Sequence, residues 1–92
     1  VIIVTNIRKT CDGCPSQWEG KTSEGQVIFA HYRSGRLRIG IGKTRTGAVN
    51  NITYHSIYGS PYDGSLTYQH LKDLTTHLFQ WPDTDNNEEE KS

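Results

Sequence analysis

Four histidines, two cysteines and a set of clustered arginines are the residues of this 92-residue chain whose types and spacing suit chemistry. Cys11-Asp12-Gly13-Cys14 has the spacing at which a small turn lets two thiolates converge on one zinc ion, but a structural zinc needs four ligands. The chain holds no second such pair, and His31, His55, His70 and His77 lack the spacing that usually completes one. The expectation is therefore no metal site and no cofactor, with zinc on Cys11 and Cys14 as the alternative to a buried thiol pair or a facultative disulfide. As a redox motif the pair is weaker still, because Pro15 follows the second cysteine instead of sitting between the two. His31 and His55 with Arg38 are residue types that serve as acid, base and electrostatic stabiliser in phosphodiester cleavage. A lone strand histidine is more often a surface or packing residue, and nothing in the spacing brings these together. Phosphate loops, dinucleotide fingerprints, nucleophile elbows and HExxH helices are all missing. No catalytic residue is assigned, and a binding protein is expected rather than an enzyme.

Arginine carries the clearer signal. Residues 31–45 hold Arg33, Arg36, Arg38, Lys43 and Arg45 and no acid. Ser34-Gly35 reads as a two-residue hairpin turn, which pairs Arg33 with Arg36, Tyr32 with Leu37, His31 with Arg38, Ala30 with Ile39 and Phe29 with Gly40. Alternation then places Ile28, Ala30, Tyr32, Leu37, Ile39 and Ile41 on one face, a core surface. The other face collects Phe29, His31, Arg33, Arg36 and Arg38. Arginines directly opposite each other repel by roughly a few tenths of a kcal/mol per exposed pair, so a sequence shaped for folding alone would more often place opposite charges there. The planar guanidinium suits phosphate and stacks on rings. The plainer reading is a solvated face, or one that docks the chain's own acidic tail.

The elements that position these residues follow from local patterning. Residues 1–10 are rich in β-branched side chains and end in turn chemistry at 11–15, so they read as a first strand. Residues 17–22 and 26–33 read as the next two, joined by Ser23-Glu24-Gly25 with Gly25 at the left-handed position. In that register Trp18 joins the core and Glu19 lies beside the basic face. Residues 36–41 alternate basic and aliphatic and form the fourth strand, and 49–58 a fifth. Leu71, Leu74, Leu78 and Trp81 recur at helical spacing, with Ser65 or Thr67 as cap and Pro82 as stop, which predicts one C-terminal helix over the sheet. The expected fold is α+β: a small antiparallel, meander-like sheet of four to five strands packed by that helix, as a single domain over residues 1–82.

Charge and composition bound the rest. The chain is formally neutral, yet residues 1–82 carry nine basic and five acidic groups (+4) and residues 83–92 one basic and five acidic (−4). That last stretch has no periodicity and reads as a disordered acidic tail. No run of even ten apolar residues occurs, which excludes a membrane-spanning helix and a signal-peptide core, and two cysteines make no disulfide framework; a reducing cytoplasm is expected. Methionine is absent, an initiator included, so a segment before Val1 is expected. Tyr54, His55, Tyr58, Tyr62 and Tyr68 lie close together in sequence; Tyr54 and Tyr68 suit a thin core, whereas Tyr58 and Tyr62, flanking Gly59-Ser60-Pro61, suit a contact surface. A thin core and such tyrosines favour a homo-oligomer.

The run Cys14-Pro15-Ser16-Gln17-Trp18-Glu19-Gly20, then Gly25, Tyr32-Arg33 and Gly35-Arg36-Leu37, resembles a pattern of short uncharacterised phage and actinobacterial proteins over about the first half of the chain. The resemblance brings no activity. It implies a cytosolic accessory protein, in the host-cell cytoplasm if viral, and by class analogy one that sequesters a nucleotide-like immune signal. The reading taken forward is a non-catalytic module that holds an anionic, phosphate-bearing small molecule through Phe29, His31, Arg33, Arg36, Arg38, Lys43, Arg45, Tyr58 and Tyr62. The alternatives are a nucleic-acid-binding or protein-interaction module on the same face, or a small His-dependent nuclease.

Overall fold

The computed structural model describes residues 1–11, 16–57 and 66–85. Five strands follow one another as neighbours: β1 (Ile2–Cys11), β2 (Ser16–Thr22), β3 (Val27–Arg33), β4 (Arg36–Gly42) and β5 (Ile52–Ile57), each antiparallel to the last. A sixth, β6 (Phe79–Gln80), lies parallel to β1 on its outer side, giving the order β5-β4-β3-β2-β1-β6. Two short helices complete an α+β arrangement: α1 (Arg45–Asn50) between β4 and β5, and α2 (Tyr68–Thr75) before β6. Neither is long and apolar enough to cross a membrane.

The β3–β4 hairpin has the register set by its turn, with Arg33 opposite Arg36 and Phe29 opposite Gly40. Ser34 at φ 55° and Gly35 at φ 75° are both left-handed, the requirement of a two-residue turn that matches strand twist. Ile28, Ala30, Tyr32, Leu37, Ile39 and Ile41 are all buried on one face with Trp18, and Leu66, Leu71 and Phe79 pack onto them. Val4 and Ile7, an odd number apart, both reach this core because β1 bulges between Val4 and Asn6. Tyr54 and Tyr68 pack at its margin.

The C-terminal half departs from expectation in two ways. The helix is not C-terminal and does not run to Trp81: α2 starts at the Thr67 cap, whose hydroxyl accepts from the His70 N–H at 3.1 Å, and stops at Thr75. Thr75 turns its hydroxyl back to the Leu71 carbonyl at 2.8 Å and receives the Trp81 indole N–H at 2.7 Å, while the Leu78 N–H bonds the Thr75 carbonyl. That tight turn frees Phe79 to pair with Ile2 as a strand, so the sheet has six strands, not four or five. Leu78, expected on the buried stripe, is partly exposed, and His77 meets Tyr54 edge-to-face from the turn. The segment after β6 folds back over α2: the Tyr68 hydroxyl donates to the Pro82 carbonyl at 2.7 Å and the Trp18 indole donates to Asp85 at 3.3 Å. Burial, then Asp85 and Asp83, push the Tyr68 phenol well above its ordinary value, which keeps it a donor.

Secondly, a helix replaces the start of the expected fifth strand. The stretch 45–50 caps on Thr44, whose hydroxyl accepts from the Gly47 N–H at 3.0 Å, and the strand begins only at Ile52. This helix lies on the face opposite α2. It sits directly on β4, where a Cβ at Gly40 would lie 1.8 Å from the Ala48 carbonyl oxygen and one at Gly42 2.7 Å from the Ala48 nitrogen. Gly40→Ala must therefore lift α1, a loss of roughly 1–3 kcal/mol by the usual scale of overpacking. A urea titration should show a lower midpoint with little change in slope; an unchanged midpoint would mean that α1 is not seated as described.

Candidate functional site

Arg36, Arg38, Gly40 and Gly42 alternate onto one face of β4, and α1 covers the glycine half of it. The uncovered half holds the basic residues. Across the sheet, pairing puts Gln17, His31, Arg38 and His55 in one row and Arg33, Arg36 and Ile57 in the next. Beside them, Glu19, Phe29 and Gly40 form a row closed by α1.

Two open cavities lie along this face. One, of about 360 Å³, is lined by Phe29, Val49 and Ile52 together with Gln17, His31, Arg38 and Arg45. The other, of about 330 Å³, is lined by His31, Arg33, Ser34, Arg36 and Arg38. Because His31 and Arg38 belong to both, the two are halves of one groove running from the foot of α1 to the hairpin turn.

The halves differ in charge. At the α1 end, Arg45 forms an ion pair with Glu19 and lies over the Phe29 ring with its guanidinium carbon 5.5 Å from the centroid. Phe29 in turn stacks on His31, centroids 6.2 Å apart and planes 15° from parallel. At the turn end, Arg33, Arg36 and Arg38 are exposed and make no ion pair with a described residue. Their field reaches His31: burial first, then Arg38 and Arg33, hold its imidazole below the ordinary value.

Of the residues singled out from sequence, the fold thus brings together Phe29, His31, Arg33, Arg36, Arg38 and Arg45. Lys43 is exposed in the link between β4 and α1 and lines neither cavity. Tyr58, Tyr62 and Cys14 lie outside the described residues. Cys11 is a half-buried free thiol at the end of β1, and among the described residues no three His, Cys, Asp or Glu side chains cluster as metal ligands would. The acidic tail was one expected occupant of the basic face, but its described start runs the other way, with Asp85 on Trp18 at the core face. His55, weighed from sequence with His31 and Arg38 as an acid–base set, stands in one row with them, whereas Gln17, Val49 and Ile52 are lining residues that sequence reasoning missed. The signal was present for all three: the β2–β3 register sets Gln17 opposite His31, and two glycines continuing the Arg36-Arg38 alternation leave bare backbone that something near Val49 and Ile52 must cover. Comparison with protein-family models, curated proteins and solved structures gives no match.

His31 also makes stability depend on pH. Its folded-state value lies below the ordinary 6.5, so the unfolded chain takes up that proton first. Its effect on stability is absent above that value and becomes destabilising as pH falls through 6.5 toward the lower folded-state value. Thermal midpoints measured from pH 7.5 to 5.0 should fall on acidification, and His31→Gln should flatten that slope. An identical slope in the variant would remove His31 as its source.

Proposed function

We propose that this face binds a phosphate-bearing small anion and does so without catalysing a reaction. One observation carries the reading: three guanidiniums stand side by side at the mouth of a groove, with no ion pair to a described residue. The Coulomb repulsion of such a set, together with the depressed His31, is relieved by an anion seated among them. Phosphate matches the fork of the guanidinium and its charge better than a carboxylate does. Calorimetry with inorganic pyrophosphate at low salt provides the test. Arg36→Glu and Arg38→Glu each replace an attraction with a repulsion and should weaken binding by an order of magnitude or more, that is by at least about 1.4 kcal/mol. Undiminished binding in both variants would remove the face as the site.

A second reading, a small nuclease, gains from the row in which Arg38 stands between His31 and His55. One imidazole would accept the proton of a ribose 2′-hydroxyl attacking phosphorus, the other would protonate the departing 5′-oxygen, and Arg38 would balance the charge of the crowded intermediate. It requires RNA cleavage in the presence of EDTA that yields 2′,3′-cyclic phosphate ends and is abolished by His55→Ala. RNA left intact would dispose of this reading and leave the first untouched.

A further inference from the structure

The groove has a direction, and it narrows the class of anion. This step rests on the phosphate-binding reading above. At the α1 end Arg45 is already matched by Glu19, Arg38 and His31 stand only at the border shared with the turn end, and the rest of the lining is Phe29, Val49 and Ile52 with the Gln17 amide. That end suits a flat, uncharged ring with polar edges: the exposed Arg45 guanidinium, backed by the Phe29 ring beneath it, offers a plane to stack on, and Gln17 both a donor and an acceptor. At the turn end the charge is unmatched. Arg36 and Arg38 are two residues apart on one strand, about 7 Å, and Arg33 faces Arg36 across the hairpin at about 5.5 Å. Two or three linked phosphates can spread along a set at these backbone spacings and engage more of its guanidinium donors than a single phosphate does.

The wall formed by α1 decides between a nucleotide and a polymer. Its backbone rests on Gly40 and Gly42 too closely for even a methyl group to intervene, so no strand of nucleic acid can run through the groove beneath it. A ligand must end there. We infer that the groove takes a nucleoside di- or triphosphate end-on, base against Val49, Ile52 and the Arg45 guanidinium at the foot of α1, phosphates along Arg38, Arg36 and Arg33 toward the Ser34-Gly35 turn.

Calorimetry at one low salt concentration, with adenosine, AMP, ADP, ATP, UTP, inorganic pyrophosphate and oligothymidylates of five, ten and twenty nucleotides, tests the assignment. Affinity should rise at each step from AMP to ATP, and ADP should bind about tenfold more tightly than pyrophosphate, the scale of one base stacked on a planar side chain. The double variant Val49→Ser/Ile52→Ser, uncharged changes at two partly exposed positions, should erase the advantage of ADP and leave pyrophosphate affinity as it was. Should pyrophosphate bind as well as ADP and UTP in the native protein, the base pocket is wrong while the anion site stands. Affinity that climbs with oligothymidylate length would overturn the end-on assignment in favour of a through-running strand. No binding of pyrophosphate or of any nucleotide would overturn both the inference and the reading beneath it. Circular dichroism of the double variant guards against unfolding, and Val49→Ser alone, at a partly exposed lining position, provides a milder version of the same comparison.

Discussion

The Ser34-Gly35 turn fixes the register of β3 against β4, and that register determines which side chains meet on each face of the sheet. Side chains alternate with a period of two, so a slip of β4 by one residue would send Leu37, Ile39 and Ile41 to solvent and bring Arg36 and Arg38 into the core. Burial of each large aliphatic or aromatic side chain contributes on the order of 1.5–3 kcal/mol, against a few tenths for the repulsion of an exposed like-charged pair. Core formation therefore dominates, and Arg33, Arg36 and Arg38 are assembled as a consequence of burying their neighbours. No counter-ion is needed to hold the cluster together. It exists before any ligand arrives, which is the condition for a preorganised anion site.

The two helices play unlike parts because the two faces of the sheet are unlike. On the core side, α2 and the segment after it cover apolar side chains and supply polar partners: Asp85 for the Trp18 indole and Pro82 for the Tyr68 hydroxyl. On the other side α1 meets bare backbone at Gly40 and Gly42, and six residues suffice to block half the face. The charge division of the sequence acquires a spatial meaning from this. Asp83 and Asp85 follow α2 on the core face, while the unmatched arginines lie across the sheet.

What could be read from the sequence was local. The hairpin pairing, the burial of Trp18 and the position of Glu19 beside the basic face all follow from one turn and strict alternation. Thr67 as a cap is similarly a matter of three residues. The misjudged elements depend on distant partners. Phe79-Gln80 is a strand only because Ile2-Ile3 offers an edge, and Leu74, Leu78 and Trp81 keep helical spacing even though Thr75 ends the helix by bonding back to Leu71. The short α1, with Gly47 inside it, has weak intrinsic propensity and is held by its seat on β4. Missing it hid the apolar half of the groove, since Val49 and Ile52 read as strand residues when α1 is absent.

His31 links the two halves of the groove energetically as well as geometrically. It stacks on Phe29 at one end and lies beside Arg38 and Arg33 at the other, and both burial and those cations disfavour its proton. An anion placed among the same arginines offsets their field at His31 while leaving the burial unchanged. The proton then becomes easier to accept, and by reciprocity a proton on His31 makes the anion easier to hold. On the proposed reading, affinity for a phosphate is tied to pH in the opposite sense to the fold's stability: acidification destabilises the empty protein through His31 and would strengthen an occupied site through the same imidazole. A bound anion should thus protect the protein most where the empty chain is weakest.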